Sequence, residues 1–495
     1  MEDNSRPKQI RSKTGLSEKF GVALEITVLV LVSIMGFCAR LWSIIKYEGL
    51  IHEFDPWFNW KVTEKIAYEG YYSFMNWLDH DSWYPINRYV GTTTYPGLMM
   101  ASAYLWKLAD LIKIQIPLVQ VCVYLPAIFA VFTFVVAYLF AKELSASGGA
   151  GLIAATLLSV VPTFLSRSTA GSYDNEAVAI FAMVLTFYLF MRSLRTGSLL
   201  DCLQTAAAYL FMVISWGGYV FVIGFISIYT LAMMILGRFN EKIYVAYCLF
   251  YLFGHAFCVQ LRFIGIYVVW ESSEHLVSHV AFWVCQLWVC KIILKCYISE
   301  KSYRLVARIS TIIVIVLGVA GAFSLVVTGR LNVGHRILAL INPVYAKKVN
   351  KLVSSIAEHQ SSIWSSMLSN FHISLILAPI GAAYLLKNTN PSKLFAVLLC
   401  LFATYFSSIM DRLKLVAGPM SCILSGVGAS AIFSMSATSL RRSFTSLIRT
   451  RSTAKTTTTP SANLATTTSP PAKPSPPRFH LDRKSTRLNS SHLGI

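Results

Sequence analysis

Two carboxylates separated by one residue, Asp174 and Glu176 in the stretch GSYDNEAVAI at 171–180, have the clearest capacity for chemistry in this sequence. They lie between an apolar run that closes with Val160, Val161 and Pro162 and another that extends from Ala177 to Met191. Two acids so placed repel each other unless a cation, a base or water lies nearby. Asp-x-Glu is a common way to offer oxygens to a hard divalent ion. Arg167, in SRSTAGSYDNE, supplies a positive partner a short distance upstream. The same residues also suit helix capping, with Ser172, Asp174 or Asn175 as the N-cap and Glu176 favoured by the helix dipole in the first turn.

The composition defines the elements that must hold these groups. The chain has 495 residues, 55% hydrophobic and 13% charged, against about 25% charged in a soluble domain. With mean hydropathy +0.57, the expected class is an all-α polytopic membrane protein. The net charge of +20 would suggest nucleic acid in a soluble protein. Here the basic residues concentrate in the ends and connecting loops, where they orient a chain in a membrane, so no nucleic-acid partner is expected. The ten cysteines contain no CxxC pair and read as small core residues, not as a disulfide or zinc framework.

Residues 1–20 are polar and basic and are expected in the cytosol, ahead of a first span at 21–45. The segment 46–117 is too polar to cross and is rich in aromatic residues. Trp57–Tyr68 suits a short interfacial helix, with Asp55, which precedes Pro56, extended just before it or capping it. Further apolar runs near 119–140, 151–166, 176–191, 200–216, 218–236, 243–261, 276–297, 305–327, 371–386, 393–409 and 413–434 bring the expectation to about twelve transmembrane helices. Between 257 and 284 the pattern is broken by Glu271, Glu274, His275 and His279. ESSEH followed by His279 has the residue types of a metal cluster, but a polar loop between two helices is the expected reading.

Starting inside, alternate gaps put Asp55, Arg167, Asp174, Glu176, Glu358 and Arg412 on the face away from the cytosol. The opposite gaps carry Lys142, Arg192, Arg195, Arg238, Lys301 and Lys387. The loop 328–370, which contains Glu358, is more basic than that rule prefers. Acids gathered with two arginines suit a site that handles a cation together with an anionic ligand, such as a diphosphate with a divalent metal. The whole of 21–435 then reads as one transmembrane unit. Residues 436–479 are basic and Thr/Ser/Pro-rich and are expected to be disordered. The final 480–495 read as a sequence artefact.

EFDPWFN at 53–59, TYPG at 94–97, SRSTAGSYDNEAVAIFA at 166–182, SWGGYVF at 215–221 and AEHQ at 357–360, in that order, resemble the catalytic subunit of eukaryotic oligosaccharyltransferase. The resemblance implies a multi-spanning glycosyltransferase of the endoplasmic reticulum membrane with a luminal active site. Its reaction would be en bloc transfer of an oligosaccharide from dolichyl diphosphate to the asparagine of Asn-x-Ser/Thr in nascent proteins. By that resemblance Asp55, Asp174 and Glu176 would hold Mn²⁺ or Mg²⁺, and Arg167 would serve activity. Glu358, on a mobile luminal loop, would contact the acceptor asparagine, Arg412 the lipid diphosphate, and Trp216 and Tyr219 the donor. The partners implied are the lipid-linked oligosaccharide, the nascent polypeptide, the bilayer and the other subunits of the transferase.

The sequence departs from the family pattern in three places. SVSE reads Ser355-Ile356-Ala357-Glu358, Asp411 stands beside Arg412 where it could neutralise it, and no WWDYG is present. The last implies a truncated chain without the part that reads the sequon's hydroxyl, and so a chain expected to be inactive by itself. Two other classes are considered: a transferase similar to the protein O-mannosyltransferases, and a transporter. AEHQ and SWGGY argue against the first. The lack of an internal repeat and the placement of acids at helix ends argue against the second. Glu25 and Arg40 are polar positions near opposite ends of the first span.

Overall fold

The computed structural model describes residues 15–297 and 355–456, with isolated positions from 299 to 327. The run at 305–327 and the loop segment 328–354 therefore lie largely outside the described residues, as do 1–14 and 457–495. Two units are compact in themselves, Met1–Ser436 and Ala437–Ile495.

The first unit is helical. Among the described residues seven helices are long and apolar enough to cross a membrane: Lys19–Tyr47, Leu118–Ser145, Asn175–Thr196, Glu241–Gln260, Ser273–Tyr297, Pro391–Ile409 and Asp411–Ser446. The pair Trp364–Phe371 and Ser374–Leu386, bent by 81°, makes an eighth if taken as one span. Three expected spans are helices too short to cross unaided: Gly148–Val160, Leu199–Ser215 and Tyr219–Ile235. Eleven of the twelve expected runs thus coincide with helices, although fewer have the length of a full crossing. In the second unit the last helix, Lys414–Thr456, carries helical structure through 437–456, twenty residues into the stretch expected to be disordered.

Asn175–Thr196 is the hub. Its membrane window is 78% buried, and Leu199–Ser215, Leu118–Ser145, Glu241–Gln260 and Pro391–Ile409 all pack against it. Among apolar helices in lipid, association depends on close van der Waals fit. Gly381 and Gly428 provide that fit where Ser374–Leu386 crosses the last helix. A Cβ at Gly381 would lie 2.0 Å from the Leu424 carbonyl oxygen, and one at Gly428 would lie 2.5 Å from that of Leu377.

The polar segment after the first span folds as a cap on one end. The helix Phe54–Glu69 is its main element, and Leu78–Asp79 pairs antiparallel with Arg88–Tyr89 in a two-stranded ribbon. The expected interfacial helix is present but starts earlier, so Asp55 lies inside its first turn, and Glu53 holds the N-cap position. Proline is tolerated in a first turn because its missing N–H would have had no helical partner, which lets the helix include Asp55-Pro56. Glu53 enters it at φ 70°.

The expected polar loop within 257–284 is confined to the connection 261–272, which itself contains the short helix Gly265–Glu271. His275 and His279 belong to the helix Ser273–Tyr297 and pack against His255 of Glu241–Gln260, with ring centroids 5.2 and 5.0 Å away. Burial of these rings is tolerated because each nitrogen finds a partner. His255 Nδ1 lies 2.9 Å from the Tyr251 carbonyl, His275 Nδ1 3.3 Å from His255 Nε2, and His279 Nε2 2.8 Å from the Val269 carbonyl. Among the described residues no group of three or more His, Cys, Asp or Glu is arranged to hold a metal. The ten cysteines are free.

Candidate active site

Glu176 is the centre of an ion-pair network at the end of the hub helix. Asp174 is the N-cap of that helix and its side chain accepts from the Asn175 N–H at 2.7 Å, so the capping role is realised. Capping does not account for Glu176. That carboxylate is 1% exposed and bridges two guanidiniums: Arg412 donates to Oε1 from Nε at 3.0 Å and Nη2 at 2.7 Å, and Arg167 Nε stands 3.3 Å from Oε2. Burying one carboxylate between two arginines replaces lost hydration with charge-assisted bonds.

Glu358 closes the network. It pairs with Arg167 Nη2, and its other oxygen is 4.0 Å from Arg412 Nη1. Its segment is docked rather than free at this point. The Gln360 carbonyl accepts from Asp411 N at 2.9 Å, and Ser362 N donates to the Ser408 carbonyl at 3.1 Å. Asp411 does not neutralise Arg412, contrary to the concern raised by the sequence. It pairs with Lys414 and accepts from the Ser362 hydroxyl at 2.9 Å. The i,i+3 geometry at the start of the last helix turns Asp411 toward Lys414, which leaves Arg412 for Glu176.

Asp55 is exposed on the first turn of the cap helix, and its charge acts on Asp174. Among the described residues neither aspartate has an ion pair within 4.0 Å. Burial and the neighbouring Asp55 raise the Asp174 carboxyl above its ordinary range, against the pull of the Asn175 N–H and the two arginines. Burial lowers Arg167, but Glu176, Glu358 and Asp174 together raise it above its ordinary value. Two aspartates in that relation, with hard oxygens and no ion pair among the described residues, fit a divalent ion. Glu176 fits less well, because both of its oxygens already face arginines. The expected three-acid set is therefore divided between a pair short of a cation and a third acid already paired.

Trp216 and Tyr219 sit at the start of the helix Tyr219–Ile235. Trp216 is half-buried, and Tyr219 is buried with its hydroxyl 3.5 Å from His275 Nε2. Tyr219 thus lies against the histidine-bearing helix Ser273–Tyr297.

Arg40, noted in the sequence only as a polar position near the end of the first span, is tied to this region. It is fully buried near the end of the first span, and it has no acidic partner among the described residues. Its Nε donates to the Ser168 hydroxyl at 2.8 Å, and its Nη1 donates to the carbonyls of Gly36 and Ser159 at 2.9 and 3.0 Å. Its guanidinium carbon lies 4.9 Å from the Phe134 ring and 5.2 Å from that of Phe164. It ties the first span to the loop that presents Arg167. A charged residue inside an apolar span was the available signal.

The helical bundle has the fold of membrane oligosaccharyltransferases, as solved structures show. The archaeal oligosaccharyltransferase AglB from Archaeoglobus fulgidus, in complex with an inhibitory peptide and a dolichol-phosphate, superposes with TM-score 0.65 at 16% identity, covering 84% of this chain and 51% of that one. The Archaeoglobus fulgidus oligosaccharyltransferase in complex with Zn and sulfate gives TM-score 0.59, also at 16% identity, covering 85% and 51%. The family model "Oligosaccharyl transferase STT3, N-terminal" matches residues 23–425, and the chain belongs to that family. It is 38% identical over 451 residues to the dolichyl-diphosphooligosaccharide–protein glycosyltransferase subunit STT3B of Oryza sativa subsp. japonica, covering 91% of this chain and 61% of that one. It is 39% identical over 446 residues to the STT3B subunit of Arabidopsis thaliana, covering 90% and 59%. The chain thus spans about three fifths of the length of these relatives.

Proposed function

We propose that this chain is the membrane part of a catalytic oligosaccharyltransferase subunit of the endoplasmic reticulum, acting from its luminal face within the transferase complex. It would transfer oligosaccharide from dolichyl diphosphate to the asparagine of Asn-x-Ser/Thr in nascent chains. The observation that carries this reading is the joining of Arg167, Glu176, Glu358 and Arg412 beside Asp55 and Asp174. Four separate segments contribute, and the charges are of the two signs that the reaction needs.

The acceptor amide nitrogen is a poor nucleophile because its lone pair is delocalised into the carbonyl. Asp55 and Glu358 are the carboxylates that would bond its two hydrogens and favour rotation out of conjugation. Arg412 spends only part of its donor set on Glu176, which leaves N–H groups for the diphosphate that departs. Glu176 orients both arginines for that task. Asp55 and Asp174 would hold Mn²⁺ or Mg²⁺, with Glu176 joining if an arginine turns to the diphosphate. When bound, the cation offsets the repulsion of the aspartates and stabilises the leaving group. Trp216 and Tyr219 are assigned to the donor side.

The test is transfer from a lipid-linked donor to an Asn-x-Thr peptide by the chain assembled with the remaining two fifths of its relatives' length. Asp174→Asn keeps the shape of the cap and removes the charge. It should lower transfer at least about 100-fold without loss of folding. Wild-type transfer by this variant would reduce Asp174 to a cap and end the proposal.

A further inference from the structure

Asp55 and Asp174 belong to segments far apart in the sequence, yet any ion shared between them needs a fixed separation. The cap helix Phe54–Glu69 carries the means of fixing it. Asn59 lies one turn after Asp55, so the two share a helix face. Asn59 is 6% exposed, and its Nδ2 donates to the carbonyl of Tyr173, the residue before Asp174, at 3.1 Å.

Tyr173 is locked as well. Its side chain is fully buried, with its hydroxyl 2.8 Å from Thr63 Oγ1 and 2.6 Å from Ser102 Oγ. Each of those hydroxyls also lies within hydrogen-bond distance of a carbonyl one turn back in its helix, Thr63 of Asn59 at 2.8 Å and Ser102 of Leu98 at 3.0 Å, so the three protons are shared among four short contacts. Thr63 is on the same helix as Asp55, so two turns of that helix grip the residue next to Asp174. On the other side of Tyr173, the Gly171 carbonyl accepts from His52 N at 3.0 Å. Gly171 has φ +89°, and a Cβ there would meet the Leu50 carbonyl oxygen at 2.5 Å, so the two strands of chain touch backbone to backbone. Polar bonds this deeply buried are rigid, because leaving any of them unmade is costly.

We propose that Asn59 and Tyr173 are positioning residues that set the separation of Asp55 and Asp174 and thereby the divalent-ion affinity of the site. This rests on the metal reading given above. The experiment uses the full chain purified in detergent, with Mn²⁺ binding followed by the electron paramagnetic resonance signal of the free ion and folding by thermal melting without metal. Asn59→Leu, which keeps the number and branching of the heavy atoms, should bind Mn²⁺ about tenfold more weakly, and Tyr173→Phe about threefold more weakly. Asp55→Ala, measured beside them, should lose binding. If Asp55→Ala loses binding while Asn59→Leu and Tyr173→Phe bind as wild type, the positioning role is overturned and the metal reading stands. If Asp55→Ala also binds as wild type, both fall together. Should Asn59→Leu fail to fold, Tyr173→Phe decides by the same criterion.

Discussion

The two ends of the bundle carry ion pairs of different kinds. At the end opposite the site, three acids each have a cation of their own. Lys142 meets Glu25 at 2.7 Å with the Tyr138 hydroxyl between them, Arg192 meets Asp201 at 3.2 Å, and Arg195 meets Glu143 at 2.9 Å. These pairs join neighbouring helix ends and are complete in themselves. At the site, one buried carboxylate is shared by two arginines, a second acid reaches the same arginines, and two aspartates have no ion pair among the described residues. Matched pairs hold helices together; a network with charge left over is suited to receive a charged ligand.

Glu176→Ala should sharpen that contrast most. It leaves two guanidiniums without their shared partner and should cost about 2–3 kcal/mol of stability, below the range for fully buried pairs because both arginines reach solvent. Chemical denaturation in detergent measures it, and a cost under about 0.5 kcal/mol would place this network with ordinary surface pairs.

Acid should separate the two ends next. The Asp174 carboxyl lies above its ordinary range because burial and Asp55 disfavour its charge. The folded protein therefore holds that proton more tightly than the unfolded chain does. Its contribution to stability is present below the unfolded value and is lost as pH rises through the folded one. Divalent-ion affinity runs the other way, falling on acidification at a higher pH than an ordinary aspartate would show. Mn²⁺ titrations at several pH values should show the fall, and Asp174→Asn should remove it. A flat wild-type profile would mean that Asp174 is not a ligand.

The smallest effect is expected at the opposite end. Lys142→Met breaks the partly exposed pair with Glu25 and should cost about 0.5–1 kcal/mol, with Mn²⁺ binding unchanged. A change in Mn²⁺ affinity would show that the two ends are coupled through the first span.

The acids, Arg167 and Arg412 were legible because motif spacing and loop parity are local properties of the sequence. Both arginines proved to meet Glu176. Which acid each arginine would take was not legible. Asp411 is adjacent to Arg412 in the chain, yet Glu176, more than two hundred residues earlier, is its partner, because the turn into the last helix directs Asp411 to Lys414. The histidines near 275 were misjudged for a related reason. Polarity suggested a loop, but the partners that make them tolerable in a helix come from another helix, at Tyr251 and His255. Helix existence was readable from apolar runs. Helix length was less so, since 151–166 is divided between Gly148–Val160 and Pro162–Leu165.

The sharing of Glu176 also imposes an order on biosynthesis. Arg167 is made nine residues before Glu176, so the carboxylate has one cation as soon as its own helix enters the membrane. Arg412 arrives only after the intervening helices have been made. Until then Glu176 has Arg167 as its cation and lacks its two-point bond. The arrival of Arg412 thus completes the network late, and the contact that closes the site joins the turn into the last helix to the start of the hub helix, made more than two hundred residues earlier.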